Sequence, residues 1–271
     1  MLLAAMLPSS LPAQTTEANI RARLVNKPLY LRGLWGADKL EFDAAGRLIG
    51  SSAPVSFTLA GVDVTAVEVT ADGLQVEGQR VGLVFDKDKV HRLGLKTPKI
   101  AGSGAEKLTV HIARPADGDY TGAIDSVFTG DLADLVDGMP FCWQKYAQKH
   151  FVPAGSGMAL APPAAGSDAK AVDPAKLPEV ISRVIAPRLI RQADPEYSQA
   201  ARALNFSGVS LVDLIVDASG MPARIQVLHP VGLGLDEAAV AAVSKYVFKP
   251  AMEGDHPVPV ELNIEVNFQR F

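Results

Sequence analysis

The residues able to do chemistry are few and scattered. His91, His111, His150, His229 and His256 are the five imidazoles of the chain. None falls into the H-x-x-x-H or H-E-x-x-H spacing that would put two ligands on one helix face for a metal. His229 and His256 each precede a proline, which reads as a strand end or loop on the surface. Gly102-Ser103-Gly104 and Gly155-Ser156-Gly157 fit neither G-x-S-x-G nor the phosphate-cradling G-x-x-x-x-G-K-[ST], so both read as plain loops. Asp86-Lys87-Asp88-Lys89 lacks the acidic ligands that a calcium loop would supply next and reads as a solvated turn. Cys142 is the only cysteine, so an intramolecular disulfide and a cysteine metal cluster are both excluded. Flanked by Phe141 and Trp143, it reads as a small buried hydrophobe. Arg80, between two β-runs, is expected to pair with a carboxylate of the sheet, and Trp35 and Trp143 to anchor cores. No nucleophile, base and orienter come together. The expectation is a protein that is not an enzyme, with no catalytic residues, no metal ligands and no cofactor.

Bulk properties narrow the partners. A net charge of -4 and the absence of any Lys/Arg run give no electrostatic footprint for nucleic acid. An apolar fraction of 48% with 21% charged residues belongs to a folded globular chain rather than a disordered one.

What remains is the chemistry of the backbone, and the last strand offers it. Val258, Val260, Leu262, Ile264, Val266 and Phe268 face one way, while Glu261, Asn263, Glu265 and Asn267 face the other. Strict alternation predicts one face on a core and one in water. Pro259 has no N–H to give a ladder and so fits the start of an edge strand. An edge with unpaired N–H and C=O groups must be protected or used, and its use is strand addition.

The elements that hold this strand can be read in order. Met1–Leu7 is apolar, followed by Pro8 and small residues to Gln14, which resembles the later part of a secretory signal without its basic start. Residues 1–15 are therefore expected to act as a signal-like segment and the protein to be exported to the periplasm. If the start lies further upstream, the native chain would be associated with the inner membrane. Residues 16–151 show period-two runs (Val55-Phe57-Leu59, Val62-Val64, Val67-Val69, Leu108-Val110-Ile112) with turn residues between them, predicting an antiparallel β-rich domain. One or two helices close it, the first over about Tyr120–Gly138 and a shorter one over Pro140–Phe151. Residues 152–185 turn to Ala, Pro, Gly and Ser and read as a linker.

Residues 186–271 carry the clearest pattern. A helix is expected to open at Pro195-Glu196-Tyr197. Val209–Val216 is a nearly continuous apolar run, as in a central strand covered on both faces. Asp217–Gly220 is a turn, and Leu235, Ala239, Ala242, Val243 and Tyr246 recur at helical spacing behind Asp236 and Glu237, which suit a first turn.

The ordered pieces Ala186-Pro187-Arg188, Asp194-Pro195-Glu196-Tyr197, Ser207-Gly208, Leu235-Asp236-Glu237-Ala238-Ala239, Phe248-Lys249-Pro250-Ala251, Pro257-Val258-Pro259-Val260 and Val266-Asn267-Phe268 resemble the TonB C-terminal domain. The resemblance spans about the last third of the chain. It implies an α+β fold in which a small antiparallel sheet is packed by two helices, placed after the β-rich domain. It also implies a TonB-like periplasmic role in energy-coupled transport across the envelope. The implied partners are an outer-membrane receptor peptide of TonB-box type and inner-membrane motor proteins, with no nucleic acid and no small-molecule cofactor. Carried over by position, the docking strand is Val258, Val260, Glu261, Leu262, Asn263, Ile264, Glu265, Val266, Asn267 and Phe268. Asp194, Glu196 and Tyr197 lie near the bound peptide. Two departures stand out: the family's N-terminal transmembrane helix and long Pro-rich spacer are not seen here, and Ser198 stands where the family commonly has proline. The first leaves a soluble periplasmic adaptor or scaffold, without energy transduction, as the alternative.

Overall fold

The computed structural model describes residues 16–87, 89–96, 106–153 and 184–269. The signal-like segment 1–15 and residues 154–183 of the Ala/Pro/Gly/Ser stretch lie outside the described residues. The chain runs through α1 (Glu17–Leu24), β1 (Leu29–Leu31), β2 (Lys39–Phe42), β3 (Leu48–Ile49), β4 (Gly61–Val69), β5 (Gly73–Asp86), β6 (Lys89–Gly94) and β7 (Lys107–Ala113). It continues with α2 (Thr121–Val127), β8 (Phe128–Thr129) and α3 (Gln144–His150). After the undescribed stretch come β9 (Val184–Ile185), β10 (Arg188–Arg191), α4 (Gln199–Ala203), β11 (Gly208–Val216) and β12 (Pro222–His229). Then follow α5 (Leu235–Val243), β13 (Val247–Lys249), β14 (Ala251–Glu253), β15 (His256–Val258) and β16 (Val260–Phe268). Short 3-10 turns lie at Phe57–Leu59, Leu132–Gly138 and Phe141–Trp143. Among the described residues no helix is long and apolar enough to cross a membrane.

The first half is one large sheet in the order β3-β2-β7-β5-β4-β1-β8, with β6 also paired to β5. It departs from the expected all-antiparallel pattern, because β2 runs parallel to β7. Period two fixes a strand's faces but not its partner's direction, so the alternation could not have shown this. The described residues also begin with a helix rather than a strand: Thr16 caps α1 by accepting from the Asn19 amide, and Ile20 and Leu24 are fully buried. The helix expected over 120–138 is instead α2, the strand β8 and a 3-10 turn. Phe128 leaves helical geometry to pair with Leu31, and Gly130 follows directly.

Three apolar clusters fill the molecule. One joins α1 and α2 to the sheet through Phe42, Val64, Leu74, Val110 and Ile112. The second gathers Val212, Leu214, Val216, Leu235, Ala239, Val243, Val266 and Phe268 from the last segment. The third is aromatic: Phe57, Phe85, Trp143 and Tyr146 pack edge to face, with Trp143 4.6 Å from Phe57 and Tyr146 5.7 Å from Phe85 between ring centroids.

The second and third clusters cross between the halves. Strand β5 continues past its pairing with β4 and β7, where β6 pairs with it, and carries Leu83, Val84 and Phe85 to the loop before α5. There Phe85 N–H donates to Val231 C=O at 3.3 Å and Leu233 N–H to Leu83 C=O at 3.0 Å. Gly232, at φ +96, makes the approach feasible: a Cβ there would lie 2.1 Å from the Leu83 carbonyl oxygen. The same loop is tied from beneath by Asp236, which is fully buried. Its Oδ1 accepts from Ser210 Oγ at 2.7 Å and Val231 N at 2.9 Å, and its Oδ2 from Gly232 N at 2.7 Å.

Replacing Asp236 by alanine strands three buried donors and is expected to lower stability by about 3 kcal/mol, measured by urea unfolding. Burial lifts the folded Asp236 carboxyl from 3.8 to about 7, with the Glu237 charge adding to the rise and the three donors opposing it. The folded state therefore keeps a proton that the unfolded chain releases between those values, and the site's contribution falls as pH rises through that window. The stability advantage of the wild type over Asp236→Asn should shrink from pH 4 to pH 7; an advantage that grows with pH would contradict this.

Candidate strand-docking edge

The sheet β12-β11-β16 puts β11 in the centre and leaves β12 and β16 as its edges. The sequence dictates the centre: in β11, Ser210, Val212, Leu214 and Val216 alternate with Asp213 and Ile215, and all six are buried. Strand β16 pairs with β11 in an unbroken antiparallel register from Gly208↔Phe268 to Val216↔Val260. Its burial alternates as its sequence does. Val266 and Phe268 are buried and Val260, Leu262 and Ile264 half-buried against the core, while Glu261, Asn263, Glu265 and Asn267 are exposed. In an antiparallel edge strand every second residue turns its N–H and C=O away from the sheet. Among the described residues β11 is the one strand paired to β16.

The opposite edge strand has a neighbour on its face: the Phe141–Trp143 turn and α3 pack against β12. Gln226 of β12 donates through Nε2 to Phe141 C=O at 3.2 Å and accepts at Oε1 from Lys145 N–H at 2.9 Å. The Lys145 side chain then reaches across the sheet, with Nζ 2.5 Å from Asp213 Oδ2 and 3.5 Å from Glu261 Oε1. Burial lowers the Lys145 pKa, but the two carboxylates outweigh it and leave the ammonium raised. The Glu261 carboxyl is pushed up, first by its hydrogen bond with Asp213 and the charge of that group, with Lys145 opposing. A lone Asp inside an apolar strand was the available signal that a cation must reach this face; the sequence reading did not use it.

The remaining expected site residues divide. Val258 belongs to β15, paired with Ala251, and Pro259 separates it from β16. The helix expected to open at Pro195 begins at Gln199. Ser198 is its cap, accepting from Ala201 N–H at 3.0 Å and donating to Leu233 C=O at 2.5 Å. The residue that departs from the family's proline thus supplies a cap that proline could not. Tyr197 reaches the end of β16: its ring lies 5.6 Å from that of Phe268, and its hydroxyl donates to Phe206 C=O at 3.0 Å. Asp194 and Glu196 are exposed, and among the described residues neither bonds to β16. Beside this module β9 and β10 present Ile185, Leu189 and Ile190 to solvent. No group of three metal-binding side chains occurs among the described residues.

The family described as Gram-negative bacterial TonB protein C-terminal matches residues 193–269, the stretch that contains the whole β12-β11-β16 sheet, α4 and α5. Over this segment the chain is similar to the TonB family, and it spans less than a third of the length of the curated relative it matches. Protein tonB2 of Pseudomonas aeruginosa is 37% identical over 76 residues, and that stretch is 28% of this chain and 28% of the relative. A solution NMR structure of the Pseudomonas aeruginosa TonB CTD aligns with 24% identity and a TM-score of 0.28, covering 34% of this chain and 90% of that one.

Lys145 is half exposed, so its pairing contributes modestly. Lys145→Met is expected to cost about 0.5–1 kcal/mol in thermal or urea unfolding, and adding Glu261→Gln should recover part of it.

Proposed function

We propose that this protein is a non-enzymatic, TonB-like periplasmic binding protein that captures an outer-membrane receptor peptide by adding it as a strand to β16. The observation that carries the reading is the unbroken nine-residue register of β16 on β11 with no further strand on its outer side among the described residues. An added peptide would take up main-chain hydrogen bonds there, and the alternate side chains beside Leu262, Ile264 and Val266 would set its preference. Each such bond contributes about 0.5–1.5 kcal/mol net, so about six give roughly 3–9 kcal/mol before association costs, and side-chain contacts must supply the remainder of any useful affinity. Tyr197, packed on Phe268, would border one end of the groove, with Asp194 and Glu196 near it. In this reading residues 186–271 are the docking module, its small antiparallel sheet backed by α4 and α5. Residues 16–151 are a second domain, and residues 152–185 connect them.

Through the family, the role would be energy-coupled transport across the envelope, with inner-membrane motor proteins as further partners. A soluble periplasmic adaptor that binds without transducing energy is the second reading. The seam of Leu83 and Phe85 with Val231 and Leu233 favours it, since it ties the docking module to the first half of the chain.

A peptide from the periplasmic extension of a TonB-dependent receptor, titrated into the full chain, should shift amide resonances along 260–268. N-methylation of alternate peptide amides on the pairing side should weaken binding at least about tenfold without touching the protein. Equal affinity of the methylated and plain peptides would rule out strand addition.

A further inference from the structure

A cavity of about 430 Å³ opens at the seam between the Phe141–Trp143 turn, the start of β12 and the outer side of α5. That volume lies in the range of small-molecule sites. Its walls are mainly apolar, with Phe141, Cys142, Ile225 and Val240 facing it and Ala241 at its rim. The polar wall residues are Arg224, Glu237 and Ser244. The Glu237 Oε1 accepts from the Trp143 indole N–H at 2.7 Å. Burial pushes the Glu237 pKa up, against the opposing effect of the Ser56 and Trp143 donors.

Arg224 sets the sign of the mouth, and the backbone is distorted to place it. The register steps from Asp213↔Gln226 to Ile215↔Ala223, so β12 uses one residue more than β11 over this interval. Arg224 sits in that bulge at φ +49, a left-handed conformation that costs a non-glycine residue about 1 kcal/mol or more. A bulge takes a side chain out of the strand's alternation and re-aims it. Here the guanidinium comes to lie 5.5 Å from the centre of the Phe141 ring, over the cavity wall. Among the described residues it has no carboxylate partner. A partly buried cation without an anion, at the mouth of an apolar cavity, is complementary to an apolar molecule with one negative end.

We propose that this cavity binds a free acyl chain carrying a single acidic head group, the chain lying among Phe141, Cys142, Ile225 and Val240 and the head paired with Arg224. The ligand would contact α5 and β12 of the TonB C-terminal domain together with the turn before α3, and so brace the seam. The site is separate from the β16 edge and does not depend on the function proposed for it.

Decanoate and decanol, titrated calorimetrically into the full chain, provide the test, with substitutions at the mouth and rim of the cavity reporting location. Decanoate is expected to bind at one site with Kd below about 1 mM. Arg224→Gln should weaken decanoate about tenfold or more and leave decanol unchanged. Ala241→Trp, at an exposed rim position that the fold tolerates, should abolish both. Absence of saturable binding, or decanoate affinity unaffected by either substitution, would overturn the proposal.

Discussion

A three-stranded sheet has two edges, and in this protein the fate of each follows from where the first half of the chain docks. Such a sheet cannot satisfy its own outer backbone groups; each edge must meet water, another part of the chain, or a partner. The Phe141–Trp143 turn and α3 pack against β12 and reach over the sheet face, and among the described residues no strand pairs with the outer side of β16. The asymmetry rests on the Val231–Leu233 loop, which receives Leu83 and Phe85 from the first half and is held from within by Asp236. Without that carboxyl the loop amides would be unpaired, Gly232 would have no fixed approach to Leu83, and the two halves would lose their register.

The same docking explains how β11 is buried on both faces. Val212, Leu214 and Val216 meet α5 and the inner face of β16. Asp213, on the other face, would be a stranded charge if the first half did not bring Lys145 across the sheet. Lys145 is half exposed, so the pair contributes modestly, but it ties the placement of α3 to that of the sheet. Glu261 joins this pair from β16 itself, which makes the docking edge electrically continuous with the first half of the molecule.

Much of this was legible in the residues. The alternation through 260–268 is a local property, and so are the β-branched run of β11 and the helical spacing behind Leu235; each survives folding because burial follows the pattern that produced it. Less legible were features decided by distant partners. Asp236 and Glu237 look like ordinary first-turn acids, yet their carboxyl groups serve Ser210, Val231, Gly232 and Trp143. Period two cannot distinguish a parallel partner, so the β2–β7 pairing was invisible. Pro195 is a common first helical residue, but the chain stays extended until Ser198, whose hydroxyl can do what a proline cannot. Lys145 gave no local sign at all: its role exists because the turn before it places α3 over a charged strand.

The central claim is that β16 receives a peptide strand, and intermolecular backbone contacts test it most directly. In a complex of the isotope-labelled full chain with an unlabelled receptor-extension peptide, the account predicts cross-strand NOEs between the peptide and residues 260–268, in register with the outward-facing amides. Contacts confined instead to the exposed apolar residues Ile185, Leu189 and Ile190, with the β16 amides unaffected, would contradict it.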